Sequence, residues 1–251
     1  MVSRHIQLFQ TRRQQTTRML NELLPLQRVA FACSCCERLC PNVIAFGEGL
    51  GMRETNVVRP LMDRLWSHAG GRPLGQAEVD SGLKSLTLIP LGEDQPSSFL
   101  GVAQEGVGAI EYTLRFARDG ETARLVQVAQ WCVEGIRGWI DDTSVYNLAV
   151  ADRASTRPSL GAPTPARRSI AELKAEIDQY NDWVDEHPMM KAEIAKQLDD
   201  LAVIRETPSL SADFLDRLKE SSSGCGIQPF VRGLLPQSPG YRKRNSKRAR
   251  S

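Results

Sequence analysis

Four of the chain's six cysteines fall within eight residues of the stretch FACSCCERLCPN (Phe31 to Asn42). Sulfur at that density suits a zinc knuckle, a redox pair or a thiol nucleophile. On a helix, Cys33, Cys36 and Cys40 share a face, spaced three and four apart, while Cys35 points elsewhere. Structural zinc takes four ligands, often as two close pairs distant in sequence. One face supplies three here, and the fourth would have to be Cys132, Cys225, His5, His68 or His187. Neither distant cysteine belongs to a second CxxC pair. Free cysteine is also a small hydrophobe and among the most buried residue types. Core filling is therefore the expected role, with a cysteine-centred metal or redox protein as the competing one. Disulfides among the four are disfavoured by helical geometry and by a reducing compartment.

Charged residues offer a second constellation. Glu37 and Arg38 sit beside the apolar face of the cysteine-bearing helix, and Arg59 and Asp63 are four apart on the next. If the two helices pack, Glu37, Arg38, Arg59, Asp63 and Asn42 form one polar cluster. The bland reading is an ionic clamp between helices; the functional one is a pocket for a small anion or a partner's side chain. Elsewhere the chemistry is thin. The three histidines stand near neither one another nor a patterned carboxylate. GEGLG (Gly47 to Gly51) follows a helix rather than a strand and lacks a phosphate-binding lysine, so it reads as a helix end and turn. No catalytic residue, cofactor or metal is expected.

The elements that must position these residues are helical almost throughout, since apolar residues recur with helical spacing and no strand alternation is convincing. Pro25 suits a first helical turn, and Pro41 either kinks that helix or opens a short successor ending at the glycines. Helices follow around RPLMDRLWSHA, stopped by Gly70 and Gly71, around AEVDSGLKSLT, and from Ser97 or Ser98 onward. The last of these contains Gly101, Gly106 and Gly108, which suggests close approach to a neighbour. Asp119-Gly120 turns the chain into another amphipathic helix. Ser169 with Glu172 forms a capping box, Pro188 divides two helices, and a short one covers SADFLDRLKE. The expected fold is all-α, a multi-helix orthogonal bundle of about eight helices over 21–230. It has an N-terminal extension at 1–20, a long Pro/Ser/Thr-rich loop at 153–168 and a basic tail at 231–251.

The formal charge of +2 hides an asymmetry: the last fifteen residues carry six Arg or Lys and no acid, which leaves −4 on the rest. Such a block is expected to be a solvated, disordered end, with weak nucleic-acid contact through phosphates as the alternative. No run of about 18 apolar residues marks a membrane span. The start is Arg-rich and acid-poor but lacks the apolar segment of a secretory signal; cytoplasmic is the expected location.

CERLCPNVIAF followed by RPLMDRLW resembles the signature of the YjaG-like family of uncharacterised bacterial helical proteins (domain of unknown function 416). The matching residues are Cys36, Glu37, Arg38, Pro41, Asn42, Phe46, Arg59, Asp63 and Trp66, with Val43 where the family commonly has tyrosine. EHPMMKAEIAKQLDDL resembles the family's second helical hairpin, with Pro188, Glu193 and Gln197 in place, and GCGIQ a degraded form of its ending. Of the four clustered cysteines the resemblance implies only Cys36. It implies no activity, cofactor or catalytic residue. The functional expectation is a non-catalytic protein-interaction or regulatory module, one version being an immunity-type protein that blocks a cognate toxin. The acidic stretch from Glu172 to Asp200 would meet a basic partner.

Overall fold

The computed structural model describes residues 4–92, 100–155 and 169–223. Helix α1 (Arg4–Glu22) leads into α2 (Pro25–Leu50), a 3-10 turn (Glu54–Val57), α3 (Val58–Ala69) and α4 (Gln76–Thr87). Then come α5 (Leu100–Asp119), α6 (Thr122–Ser155), α7 (Ile170–Glu186), α8 (Pro188–Glu206) and α9 (Ala212–Ser223). Among the described residues there are nine α-helices and no strand, so the fold is all-α.

Helix α2 is the axis of the bundle, packed against α3, α5, α6, α8 and α9. It starts at Pro25, and Gln27 Oε1 accepts the free N–H of Leu24 at 2.8 Å. A single helix runs through Pro41 to Leu50, so no separate helix opens at the proline. The missing N–H of Pro41 strands the carbonyl of Glu37, a cost of about 3 kcal/mol or more in a helix interior, but burial on several sides outweighs it. Gly51, at φ 69°, closes the helix with a left-handed residue. By length and composition α2 could cross a membrane, yet 83% of its most apolar window is buried inside the protein. Its apolarity is that of a helix enclosed by its neighbours.

Two of the three α5 glycines serve close approach. A Cβ on Gly106 would run into Val43 of α2, and one on Gly108 would sit 3.1 Å from the Trp131 ring of α6. The turn at Gly120 (φ 72°) and the capping box, with Glu172 N–H donating to Ser169 Oγ at 3.2 Å, form as the sequence predicts.

Two boundaries differ from the sequence reading. The described part of the expected extension, 4–20, does not stand apart: α1 packs on α6, α7 and α8, burying Thr16 and Leu20. Its inward face is too short and polar to register as an apolar stripe. Helix α6 extends to Ser155, past the expected loop start at 153. The rest of that loop, the Ser97/Ser98 cap, Cys225 and the basic tail lie outside the described residues.

Candidate functional site

Adjacent helical residues point roughly 100° apart, and this divides the predicted polar cluster in two. Glu37 turns toward α3. Its carboxylate accepts Arg59 Nη1 at 2.5 Å, Arg59 Nη2 at 3.1 Å and Trp66 Nε1 at 2.9 Å. Arg59 Nε also donates to Asp63 Oδ1 at 3.1 Å, and Lys219 of α9 reaches the same oxygen at 3.1 Å. Burial acts to lower the Arg59 guanidinium, but the bond to Glu37 and the Glu37 and Asp63 charges together hold Arg59 above its ordinary value. Glu37 is buried, whereas Asp63 is exposed, so this group opens to solvent at one edge.

Arg38 instead turns toward α8, and its side chain is 0% exposed. Its Nε and Nη2 both donate to Glu193 Oε1, at 3.1 and 3.0 Å, and Glu193 Oε2 lies 2.9 Å from Nε. Nη1 donates to Asp200 Oδ2 at 3.0 Å and to Ser34 Oγ at 2.8 Å. Ser34 Oγ in turn donates to Asp200 Oδ2 at 2.5 Å and accepts Ser222 Oγ of α9 at 3.0 Å. Lys196 bonds the other Asp200 oxygen. Gln197 Nε2 completes the group, donating to Glu193 Oε1 at 2.8 Å and to the Ala129 carbonyl of α6 at 2.9 Å. Two cations balance two carboxylates, and four helices are tied at one point. Burial pulls the Arg38 guanidinium down, but the charges around it, Glu193 foremost, hold it above its ordinary value.

The sequence reading grouped Glu37, Arg38, Arg59, Asp63 and Asn42; the structure brings together Glu37, Arg59 and Asp63 but places Arg38 in a separate network. Asn42 joins neither network. It is 1% exposed, and neither its Nδ2 nor its Oδ1 has a hydrogen-bond partner among the described residues. Glu193, Gln197 and Asp200 were missed as members of the site. Their signal is positional: at spacings of four and three they fall on the α8 face that also carries Met190, Leu201 and Ile204.

All four clustered cysteines are buried free thiols. Cys36 Sγ lies 3.4 Å from Thr113 Oγ1 of α5, and Cys132 Sγ of α6 donates to the Cys35 carbonyl at 3.4 Å. Burial, aided by neighbouring Cys and Glu37 charges, pushes Cys33, Cys36 and Cys40 upward, so these sulfurs stay protonated and apolar. Among the described residues no group of three or more His, Cys, Asp or Glu is arranged to hold a metal ion.

The model of one family, described as a protein of unknown function (DUF416), matches residues 15–153. The chain belongs to the DUF416 family. No curated protein matches it. The crystal structure of a DUF416 family protein from Shewanella baltica OS155 superposes with a TM-score of 0.62 at 19% identity, covering 82% of this chain and 92% of that one. At that identity the likeness is one of fold.

Within this DUF416 chain the two motifs of the resemblance meet directly. Arg38 of the first is paired with Glu193 of the second, although Glu193 lies beyond the matched stretch. Asn42 has a different consequence. A buried amide without partners costs about 1–3 kcal/mol for each unsatisfied group. Asn42→Leu, of similar volume, is therefore expected to raise unfolding stability in urea by about 1–3 kcal/mol. A loss of stability in that titration would show instead that the amide is satisfied by enclosed water.

Proposed function

We propose that this DUF416 protein is a non-catalytic protein-interaction module whose contact surface is an exposed apolar stripe of α7. One observation carries the reading: Ile170 (87% exposed), Leu173, Ile177 (59%), Tyr180 and Trp183 (48%) lie at helical spacing along one helix, all exposed. Contiguous exposed apolar surface of this kind marks interaction sites rather than ordinary surface composition. Tyr180 and Trp183 face each other with ring centroids 5.6 Å apart, and large aromatic side chains commonly dominate interface energetics.

Glu172 and Glu176 flank the stripe at helical spacing, which favours a partner with an apolar anchor in a basic surround. The acids of α8 are not all available to such a partner. Glu193 and Asp200 face inward onto Arg38, so the acidic surface is narrower than the stretch from Glu172 to Asp200. Blocking a basic toxin by covering its working surface is the immunity-type version of this function.

The test compares tagged wild type with Ile177→Glu, purified from the producing cells. Because Ile177 is exposed, the variant should melt like wild type yet bind the co-purifying partner about tenfold or more weakly, as loss of a central anchor does. Failure to recover a stoichiometric basic partner with wild type, or equal recovery with both proteins, would count against the assignment.

A further inference from the structure

We infer that the groove between α1, α6 and α8 binds an amphiphilic monoanion, an aliphatic carboxylate of medium chain length. This site is separate from the α7 face. Its cavity volume is about 50 Å³, with Phe9, Val126, Val133, Ile194 and Leu198 among its walls. That is roughly a third of a cavity known to hold benzene, room for about two or three carbons; the rest of a chain lies along the open groove.

The polar groups in the lining choose the charge. Arg12, Arg13 and Gln130 line the groove, and no acidic side chain does. Gln130 Nε2 is buried with no hydrogen-bond partner among the described residues, a donor waiting for an acceptor. Arg12 Nη1 is 3.4 Å from Asp185 Oδ1, whereas exposed Arg13 makes no ion pair among the described residues. Gln197, also in the wall, has its amide N–H groups committed to Ala129 and Glu193. A carboxylate therefore finds one unspent cation and one unspent amide at the edge of an apolar wall, the arrangement of small-molecule sites in which few polar groups fix orientation.

Melting temperature of the full chain, measured with octanoate, octylammonium and acetate each at about 2 mM, tests this. Octanoate alone should raise it, by about 2 °C or more, since a ligand that binds only the folded state stabilises it. Arg13→Glu should abolish most of that rise, and Gln130→Leu should weaken octanoate binding severalfold in a calorimetric titration. Each variant is first melted without ligand, and if one fails to fold the other carries the comparison. An equal rise with octylammonium would reduce the effect to nonspecific apolar binding. An equal rise with acetate would remove the role of the chain. An undiminished rise in Arg13→Glu, or none in wild type, would overturn the site.

Discussion

Arg38→Ala is expected to cost about 3–5 kcal/mol of folding stability, the usual consequence of removing one partner from a buried ion pair. The loss does not measure what the guanidinium contributes by itself. With Arg38 gone, Glu193 and Asp200 are left as two buried carboxylates, and Lys196 reaches only the latter. Ser34 and Ser222 also lose the group around which they are arranged. Arg38→Lys should recover only part of the deficit, because one ammonium cannot reach Glu193, Asp200 and Ser34 together as three nitrogens of the planar guanidinium do. The informative comparison is Arg38→Met combined with Glu193→Gln and Asp200→Asn. It removes all three charges together and should be markedly more stable than Arg38→Met alone. Urea unfolding gives the coupling as the departure from additivity. Hydrogen exchange should locate the damage in α8 and α9, which meet α2 at this point. A cost below about 1 kcal/mol for Arg38→Ala would mean that the network does not hold the bundle together.

The same network shows how far the sequence carries. Periodicity is sufficient for helices that bury one face, and α3, α4, α7 and α9 are legible from it. It fails in opposite ways for α1 and α2. Helix α1 reads TRRQQTTR across its middle and buries little beyond Thr16 and Leu20, so it has almost no apolar stripe to detect. Helix α2 is enclosed by five neighbours, so Cys35 is as buried as Cys33, Cys36 and Cys40, and a single-face argument cannot separate them. Pro41 is a boundary signal that tertiary burial overrides. For the site, Arg59 and Asp63 are local and therefore readable, as is the contact of Glu37 with the adjoining helix. The partners of Arg38 lie 155 and 162 residues away. No local spacing encodes that distance; only the motif residues at Glu193 and Gln197 point to it.

Glu105 is expected to make stability fall as pH rises from about 5 to 8. It lies on α5 beside the close approach at Gly106, and its Oε2 is buried without a hydrogen-bond partner among the described residues. A Cβ on Gly135 of α6 would be only 2.8 Å from that oxygen, with Leu39 and Val102 close by, so α6 leaves room for the carboxyl without bonding it. Burial, then the nearby Glu134 charge, pushes the Glu105 carboxyl up from 4.5 to about 8. Below about pH 4.5 the folded and unfolded chains both hold this proton and nothing is lost. Above it the unfolded chain releases the proton while the folded one keeps it, so unfolding is favoured by up to about 1.4 kcal/mol per pH unit. The penalty is complete once pH passes about 8, where the folded state ionises as well. Partial exposure of Glu105 reduces the total to roughly 2–4 kcal/mol. Glu105→Gln keeps the shape and removes the titration. Its stability advantage over wild type should therefore be small at pH 5 and grow by about 2–4 kcal/mol by pH 8.5 in parallel urea titrations. A difference between the two proteins that stays constant across that range would place the Glu105 carboxylate in water, and α5 would have to sit farther from α6 than the Gly135 contact allows.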